Sequence, residues 1–293
     1  MTLEERYVNP LTDFGFKKLF GTEPNKMLLI DLLNQLLPSY HRIMDLTYLR
    51  GEQLGRGHAD RKAIFDLYCR SASGERFIVE LQKAKQDFFQ DRSVFYASFP
   101  IRDQAKKGVW DFELQPVYTV GILDFVFDDH QDEEDFIHTV ELKDQHCRVF
   151  YEKLKFIYIE LPKFQKREEE LETQLDKWLY VLRYLQDLQD RPTKLQDRVF
   201  ARLFEVAEIA RFEPKEMDDY EQSLKYYRDL NNVVNTAKRE GREQGREEGR
   251  EEGREEGREE GILKIARRMK EGGEPPEKIK RFTGLSDDEI AAL

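Results

Sequence analysis

The chain has 293 residues, 39% of them hydrophobic and 37% charged, and it carries 59 Asp and Glu against 48 Lys and Arg, a net charge of −11. This length predicts about two structural units, and an aromatic content of 12% excludes a wholly disordered chain. Apolar runs fall short of the roughly 18 residues that a membrane-spanning helix needs, and the first residues lack the layout of a signal peptide. Two cysteines, Cys69 and Cys147, build no disulfide framework and favour a reducing cytoplasm, away from membranes.

Residues 1–165 begin with two helical segments. Thr12 or Asp13 can cap a short helix whose apolar side is formed by Phe16, Leu19 and Phe20. Residues 25–37, which precede a proline, have the composition of a buried helix.

Strands dominate the rest of this region. β-branched and aromatic residues, which are typical of strands, are frequent in the runs AIFDLYC, RFIVELQ, PVYTVGILDFVF, FIHTVEL and KFIYIELPKF. Between the second and third of these runs, residues 86–107 have helical spacing that Pro100 interrupts. This order of elements predicts a mixed α/β domain over residues 1–165.

The rest of the chain is predicted to be helical. Residues 166–236 show the three-to-four spacing of apolar residues that is typical of packed helices. Residues 237–261 contain the repeat REQG-REEG-REEG-REEG-REEG, which is either a helix or a linker, because its glycines weaken a helix and its Glu–Arg pairs support one. Residues 262–293 form a small helical module with a capping box that begins at Ser286.

Residues 63–82, AIFDLYCRSASGERFIVELQ, predict a β-hairpin. A three-residue loop with Gly74 in the left-handed conformation sets a register in which Asp66 lies directly across from Glu80, with Cβ atoms roughly 5 Å apart. Gln82 shares that face because side chains alternate along a strand. The other face is expected to point into the core through Phe65, Leu67, Phe77, Val79 and Leu81.

Two carboxylates that face each other across paired strands repel, and they need compensation. A divalent cation supplies it, because Mg²⁺ binds one or two carboxylates together with water and phosphate oxygens. The alternative is a solvated sheet face on which Asp66 and Glu80 pair with Arg or Lys. The residues alone leave both interpretations open, since a two-residue slip of the register would separate the pair.

The residues around this hairpin resemble those of a known family. TDFGFKKLFG near the start, and FIVELQ followed by FFQDRSVFYAS, are similar to the recombination-promoting nucleases, often labelled transposases, of the PD-(D/E)XK nuclease superfamily. The resemblance covers roughly residues 8–165, and the REEG repeat and the ending IARRMKEGGEPPEKIKRFTGLSDDEI are also similar. It implies a restriction-endonuclease-like core, with a mixed central sheet flanked by helices, followed by an all-helical C-terminal region.

The resemblance implies roles for the hairpin residues. Asp66 would be the first metal-binding acid and Glu80 the second, with Mg²⁺ or Mn²⁺ as the cofactor. Gln82 stands where the superfamily usually has lysine, and glutamine orients water or a phosphate oxygen but is neither a base nor a cation. Lys85 is the predicted electrostatic helper, because Lys83 points to the opposite face if the strand persists.

Local charge favours a DNA partner more than the total charge does. Residues 50–110 contain twelve Lys and Arg against eight Asp and Glu, a net charge of +4. We predict a groove that follows the phosphate backbone, with DNA contacts from Arg61, Lys62, Lys83 and Arg92. A mixed, solvated surface is the alternative.

Other candidates carry weaker signals. Asp13 is expected to be a helix cap, and a third metal ligand is the less favoured alternative. His138, His146 and Cys147 lack the spacing of a zinc site. The helices within 262–293 are too small to be stable alone, so we expect them to make a homo-oligomer, ahead of DNA reading by Lys278, Lys280 and Arg281.

Together, these residues and the resemblance predict a cytoplasmic, Mg²⁺-dependent DNA endonuclease that hydrolyses phosphodiester bonds. The alternative is a catalytically degenerate nuclease fold that acts as a DNA-binding or assembly protein. Metal-dependent cleavage of DNA by the purified chain distinguishes the two.

Overall fold

A computed structural model describes residues 5–293 except for 39–40, 50, 54–62, 106–107 and 109. The chain divides into two compact units, residues 1–231 and 232–293. Arg61 and Lys62, which the sequence predicts to contact DNA, lie outside the described residues.

The helices and strands follow the predicted order. Strands are β1 (Leu46–Tyr48), β2 (Glu52–Gln53), β3 (Ala63–Ile64), β4 (Leu67–Ser71), β5 (Arg76–Gln82), β6 (Val117–Leu123), β7 (Ile137–Lys143) and β8 (Val149–Glu160). Helices are α1 (Asp13–Phe20), α2 (Lys26–Leu36), α3 (Phe89–Arg102), α4 (Gln174–Tyr184), α5 (Arg198–Ala207), α6 (Pro214–Glu271), α7 (Pro276–Thr283) and α8 (Asp287–Ala292). The predicted elements are present with shifted ends, except that the run AIFDLYC is divided into β3 and β4, and the short strands β1 and β2 are additions.

A mixed six-stranded sheet forms the centre of the first unit, in the order β1-β4-β5-β6-β8-β7. β5, β6 and β8 are parallel, and the pairs β1/β4, β4/β5 and β7/β8 are antiparallel. Parallel pairing places the carboxyl ends of three strands at one edge of the sheet, where Gln82, Leu123 and Glu160 are in register. The mixed α/β fold class predicted from the sequence is confirmed.

Helices cover both faces of this sheet. One face packs on a core that includes residues from α1, α2, α4 and α5, together with Leu67, Cys69, Phe77, Val79 and Leu81 of the hairpin. The opposite face carries a cluster of Phe65, Tyr68, Ile78 and Phe99, the last of these from α3. The prediction that Phe65 faces the same side as Leu67 is therefore wrong, because the chain bends at Asp66 and the alternation of a strand does not extend across the bend.

The start of α1 determines where Asp13 lies. The hydroxyl of Thr12 accepts a hydrogen bond from the backbone N–H of Gly15 at 3.0 Å, so Thr12 is the cap. Gly15 has to be glycine, since a Cβ atom would lie 2.1 Å from the carbonyl oxygen of Asn9. Of the two predicted caps the structure has Thr12, and Asp13 becomes the first residue of the helix.

The second unit is entirely helical in its described elements. The REEG repeat lies inside α6, so of the two alternatives the structure has the helix. α7 and α8 close a small core through Ala266, Ile279 and Ile290, and the predicted capping box joins Ser286 and Glu289. The helices within 262–293, which the sequence predicts to pack on a second copy, thus cover part of their apolar surface by packing on each other.

In the described part of the chain, no helix combines the length and apolar character that a membrane crossing demands.

Candidate active site

The β4/β5 hairpin has the predicted register. Leu67 pairs with Val79, and Cys69 pairs with Phe77. Gly74 adopts a φ of +98°, and its N–H donates to the carbonyl of Ser71 at 3.1 Å, as a tight hairpin loop of this length requires. Local turn chemistry therefore fixes which residues of the two strands lie opposite each other.

Asp66 and Glu80 meet at the open end of this hairpin. Asp66 lies one residue before β4, and its backbone N–H donates to Oε1 of Glu80 at 3.3 Å. In return, Oδ2 of Asp66 accepts a hydrogen bond from the backbone N–H of Leu81 at 2.7 Å. The two acids are thus adjacent through reciprocal contacts between side chain and backbone, although Asp66 itself is outside the strand.

Burial makes both carboxylates hard to ionise. Glu80 is 8% exposed, and burial, followed by the charge of Asp66, raises the pKa of Glu80 to about 8. Burial also raises the pKa of Asp66, against the hydrogen bond from Leu81, which lowers it. At neutral pH, the pair therefore favours a shared proton or a bound cation over two bare negative charges.

Gln82 is held between an acid and a cation. Its Nε2 donates to Oε2 of Glu80 at 3.3 Å, and its Oε1 accepts a hydrogen bond from the guanidinium of Arg92 on α3. Arg92 also donates to Gln86 and lies over the ring of Tyr96. Arg92, predicted to contact DNA, is thus engaged beside the acids, where it also opposes the rise in the pKa of Glu80.

Asp66 opens into a cleft of about 1070 Å³. Asp13 lies in the same cleft, pairs with Lys17 at 2.8 Å and raises the pKa of Asp66 through its charge. The cleft also carries further charged side chains from α1, from the end of β5 and from the segment at the start of α6, namely Lys18, Lys83, Glu213, Lys215, Glu216 and Asp219. The sequence did not indicate that the start of α6 contributes to this surface, because it lies about 150 residues beyond the hairpin.

The structure places Lys83, and not Lys85, in this cleft. Lys83 lies on the side of Val79 and Leu81, opposite to Gln82, as strand alternation predicts, and this is the side where α1 lines the cleft. Burial lowers the pKa of Lys83, and the charges of Asp13 and Asp66 oppose that change. Lys85 is exposed and pairs with Asp128. The lysine helper inferred from the sequence is therefore directed elsewhere.

The residues present suit a hard divalent cation. Oδ1 of Asp66 takes part in none of the hydrogen bonds that the structure describes, and the two hydrogen bonds of the Glu80 carboxylate are long, at 3.3 Å each. Asp13 lines the cleft that Asp66 opens into, but among the described residues its carboxylate does not form a group with those of Asp66 and Glu80 in which ligand atoms lie within 4.8 Å of one another. An all-oxygen donor set of this kind fits Mg²⁺ or Mn²⁺ better than a softer metal.

Comparison with known families agrees with this geometry. A family model described as "PD-(D/E)XK nuclease family transposase" matches residues 10–237. The chain belongs to this family. The match includes the cleft residues and the whole sheet, and it confirms both the resemblance to recombination-promoting nucleases and the restriction-endonuclease-like fold class.

The C-terminal residues of this PD-(D/E)XK family member match a second model. It is described as "Rpn/YhgA-like nuclease family, C-terminal HTH domain" and covers residues 259–293, which include α7 and α8. No curated protein and no solved structure matches the chain significantly. The family thus supports a nuclease-type function with a DNA-binding type of C-terminal domain.

Proposed function

We propose that this protein is a divalent-metal-dependent DNA endonuclease that hydrolyses phosphodiester bonds. The observation that carries the proposal is the buried pair Asp66–Glu80, because two adjacent carboxylates with raised pKa values are costly without a cation. Both cysteines of the chain, Cys69 and Cys147, are free, which is consistent with action in a reducing cytoplasm.

Asp66 and Glu80 would hold the cation, with Asp13 as a further acid. When bound, Mg²⁺ supplies the Lewis-acid polarisation of the scissile phosphate and the lowered pKa of an attacking water. The chain contributes the placement of the two acids by backbone hydrogen bonds, so that their position depends on the hairpin and not on mobile side-chain contacts.

Gln82 and Arg92 would orient the reacting groups. Because Oε1 of Gln82 accepts from Arg92 and its Nε2 donates to Glu80, the amide is held in one orientation and keeps one N–H for water or a phosphate oxygen. Arg92 brings to this position the positive charge that the lysine of the superfamily pattern would otherwise supply.

DNA would reach Asp66 along the cleft. Lys17, Lys83 and Lys215 line it, and ammonium groups that contact phosphates contribute affinity without reading sequence. Lys83, whose Nζ lies 5.4 Å from the ring centroid of Tyr226, is the lysine that we assign to the phosphate beside Asp66. The C-terminal domain would add a second DNA contact.

Cleavage of supercoiled plasmid by the purified full-length chain tests the proposal. We expect nicked or linear product with Mg²⁺ or Mn²⁺, no product with EDTA, and no product from Asp66→Asn. Asp91→Asn, at an exposed aspartate of α3, is the matched control and should cut normally. If the wild-type chain binds DNA and does not cut it with any divalent ion, the protein is a degenerate nuclease fold and the proposal fails.

A further inference from the structure

A second cluster of metal-ligand side chains lies away from the acidic cleft. It contains His130, in the turn that follows β6, His138 of β7, and Glu160 at the end of β8. The sequence grouped His138 with His146 and Cys147, which are both exposed in the structure. The cluster forms because β7 pairs antiparallel with β8, which places His138 opposite Tyr158 and near the carboxyl end of β8.

The geometry of the cluster is that of a compact coordination sphere. Nδ1 of His130 lies 3.3 Å from Oε1 of Glu160, and Nε2 of His138 lies 3.1 Å from Oε2. One ligand atom from each of the three residues lies within 4.8 Å of the others. Four ligands at about 2.0–2.1 Å from a tetrahedral zinc ion are separated by about 3.3 Å, so small side-chain shifts bring these atoms to coordination distance.

The carboxylate of Glu160 is surrounded by both imidazoles and by one ammonium group. The side chain of Glu160 is fully buried, and the ammonium of Lys163 lies 2.9 Å from its Oε2. The two imidazole rings stack with centroids 4.0 Å apart, and each directs a ring nitrogen at the same carboxylate. Either ring nitrogen of histidine can bind a metal, and histidine is the commonest metal ligand in proteins.

The surroundings also hold the carboxylate in place. The backbone N–H of Phe127 donates to Oε1 of Glu160 at 2.7 Å, and Lys163 itself donates to the carbonyl of Asp135. Partners of this kind orient metal ligands and are a regular part of metal sites. Two nitrogens and one carboxylate oxygen form a zinc-type donor set, which differs from the oxygen-only set at Asp66.

We propose that His130, His138 and Glu160 bind one zinc-type transition-metal ion at a site separate from the acidic cleft. The ion ties the turn that contains His130 to β7 and to the end of β8. Asp128 lies in the same turn as His130 and pairs with Lys85. An ion bound to His130 therefore also stabilises the loop that follows β6, which begins at the sheet edge where Gln82 lies.

Metal binding by the untagged, full-length chain tests this site. The probe is Zn²⁺, and bound zinc is counted by elemental analysis after dialysis. All variants are made in the Asp66→Asn protein, the host, so that the acidic cleft binds less of the added zinc. We expect about one zinc per chain and a melting temperature raised by about 4–8 °C at saturating zinc. His138→Ala and His130→Asn should each weaken zinc binding by about tenfold or more.

His146→Ala, at an exposed histidine outside the cluster, is the matched control and should bind zinc as the host does. Because His138→Ala removes a half-buried side chain, the milder His130→Asn decides the result if His138→Ala does not fold. No bound zinc, or the same zinc affinity in His130→Asn as in the host, overturns the proposal. Cleavage of DNA is not part of this test, so either proposal can fail without the other.

Discussion

The backbone N–H of Asp66 donates to Oε1 of Glu80, while Oδ2 of Asp66 accepts a hydrogen bond from the N–H of Leu81, the residue after Glu80. Glu80 is therefore positioned by the backbone of Asp66, and Asp66 by the backbone of the strand that carries Glu80. This exchange holds two carboxylates together where burial raises the pKa of both. Its consequences for activity and for stability can be measured separately.

Loss of either acid should abolish cleavage and preserve the fold. For Asp66→Asn and Glu80→Gln we expect cleavage to fall by about a thousandfold or more, since metal-assisted stabilisation of the transition state is worth several kcal/mol. Above about pH 8, where Glu80 also ionises, the free energy of unfolding without metal should stay unchanged or rise, because one of two repelling charges is removed. Plasmid cleavage and urea denaturation measure the two effects, and wild-type cleavage by either variant would contradict the assignment.

The stability of the metal-free protein should depend on pH through Glu80. Its pKa is about 8 in the folded protein, above the ordinary value, so the folded state binds this proton more tightly than the unfolded state does. The resulting stability is fully present below the unfolded pKa and is lost as pH rises through about 8. We expect the free energy of unfolding to decline by on the order of 1–3 kcal/mol between about pH 5 and pH 9.

Glu80→Gln isolates this contribution. Wild type and Glu80→Gln are denatured in EDTA across the same pH range. The difference between their free energies of unfolding at each pH then reports mainly on Glu80. Parallel pH profiles for wild type and Glu80→Gln would rule out a strongly raised pKa at this carboxyl.

Arg92 should affect the rate of cleavage more than DNA binding. It donates to Gln82 and lowers the pKa of Glu80, so Arg92→Ala should reduce kcat by about 10- to 100-fold and shift the pH–rate profile upward. Arg92→Lys should recover part of the rate, because it restores the charge without the planar guanidinium. Arg102→Ala, on the same helix and over the ring of Phe99, is the control and should leave the pH–rate profile in place.

DNA affinity should fall steeply with salt although the protein is acidic overall. With about four to six phosphates contacted, log K against log salt should have a slope of about −4 to −5. Lys83→Gln should reduce that slope by about one, whereas Lys143→Gln, in β7, should not. Fluorescence anisotropy with a short DNA duplex measures the slope for wild type and for each variant. A wild-type slope near zero would exclude a phosphate-binding groove.

Residues 236–293 should mediate self-association and be dispensable for phosphodiester chemistry. Leu263, Ile265 and Phe282 remain exposed after α7 and α8 have packed, and exposed apolar side chains of this kind suit a second copy of the same surface. A chain ending at Asn235 should therefore form a smaller oligomer and still cut DNA with metal.

Light scattering of the full-length and shortened chains checks this prediction, with the full-length double variant Ile265→Ser/Phe282→Ser as the milder test. Equal subunit counts in all three would contradict it. A shortened monomer without activity would show instead that cutting needs two active sites together.

The sequence by itself determined the hairpin and its register. Gly74 and the two-residue alternation of the strands are local properties, and they place Leu67 opposite Val79 as the structure does. The capping position before Asp13 and the apolar spacing of α1 are local in the same sense. Motifs within these segments also sufficed for the family, which the match over residues 10–237 confirms.

The surroundings of the acids were decided only by the tertiary structure. α3 covers the face of β5 that carries Glu80 and Gln82, so that face is buried and not solvated, and Arg92 reaches Gln82 from there. The packing of α1 against the side of β5 that carries Leu81 places Lys83, not Lys85, in the cleft. Turn and strand residues that are close in sequence determine how the backbones of β4 and β5 pair. The burial of Glu80 and Gln82 and their side-chain partners depend instead on which distant elements pack together. No short pattern in a single sequence encodes that packing.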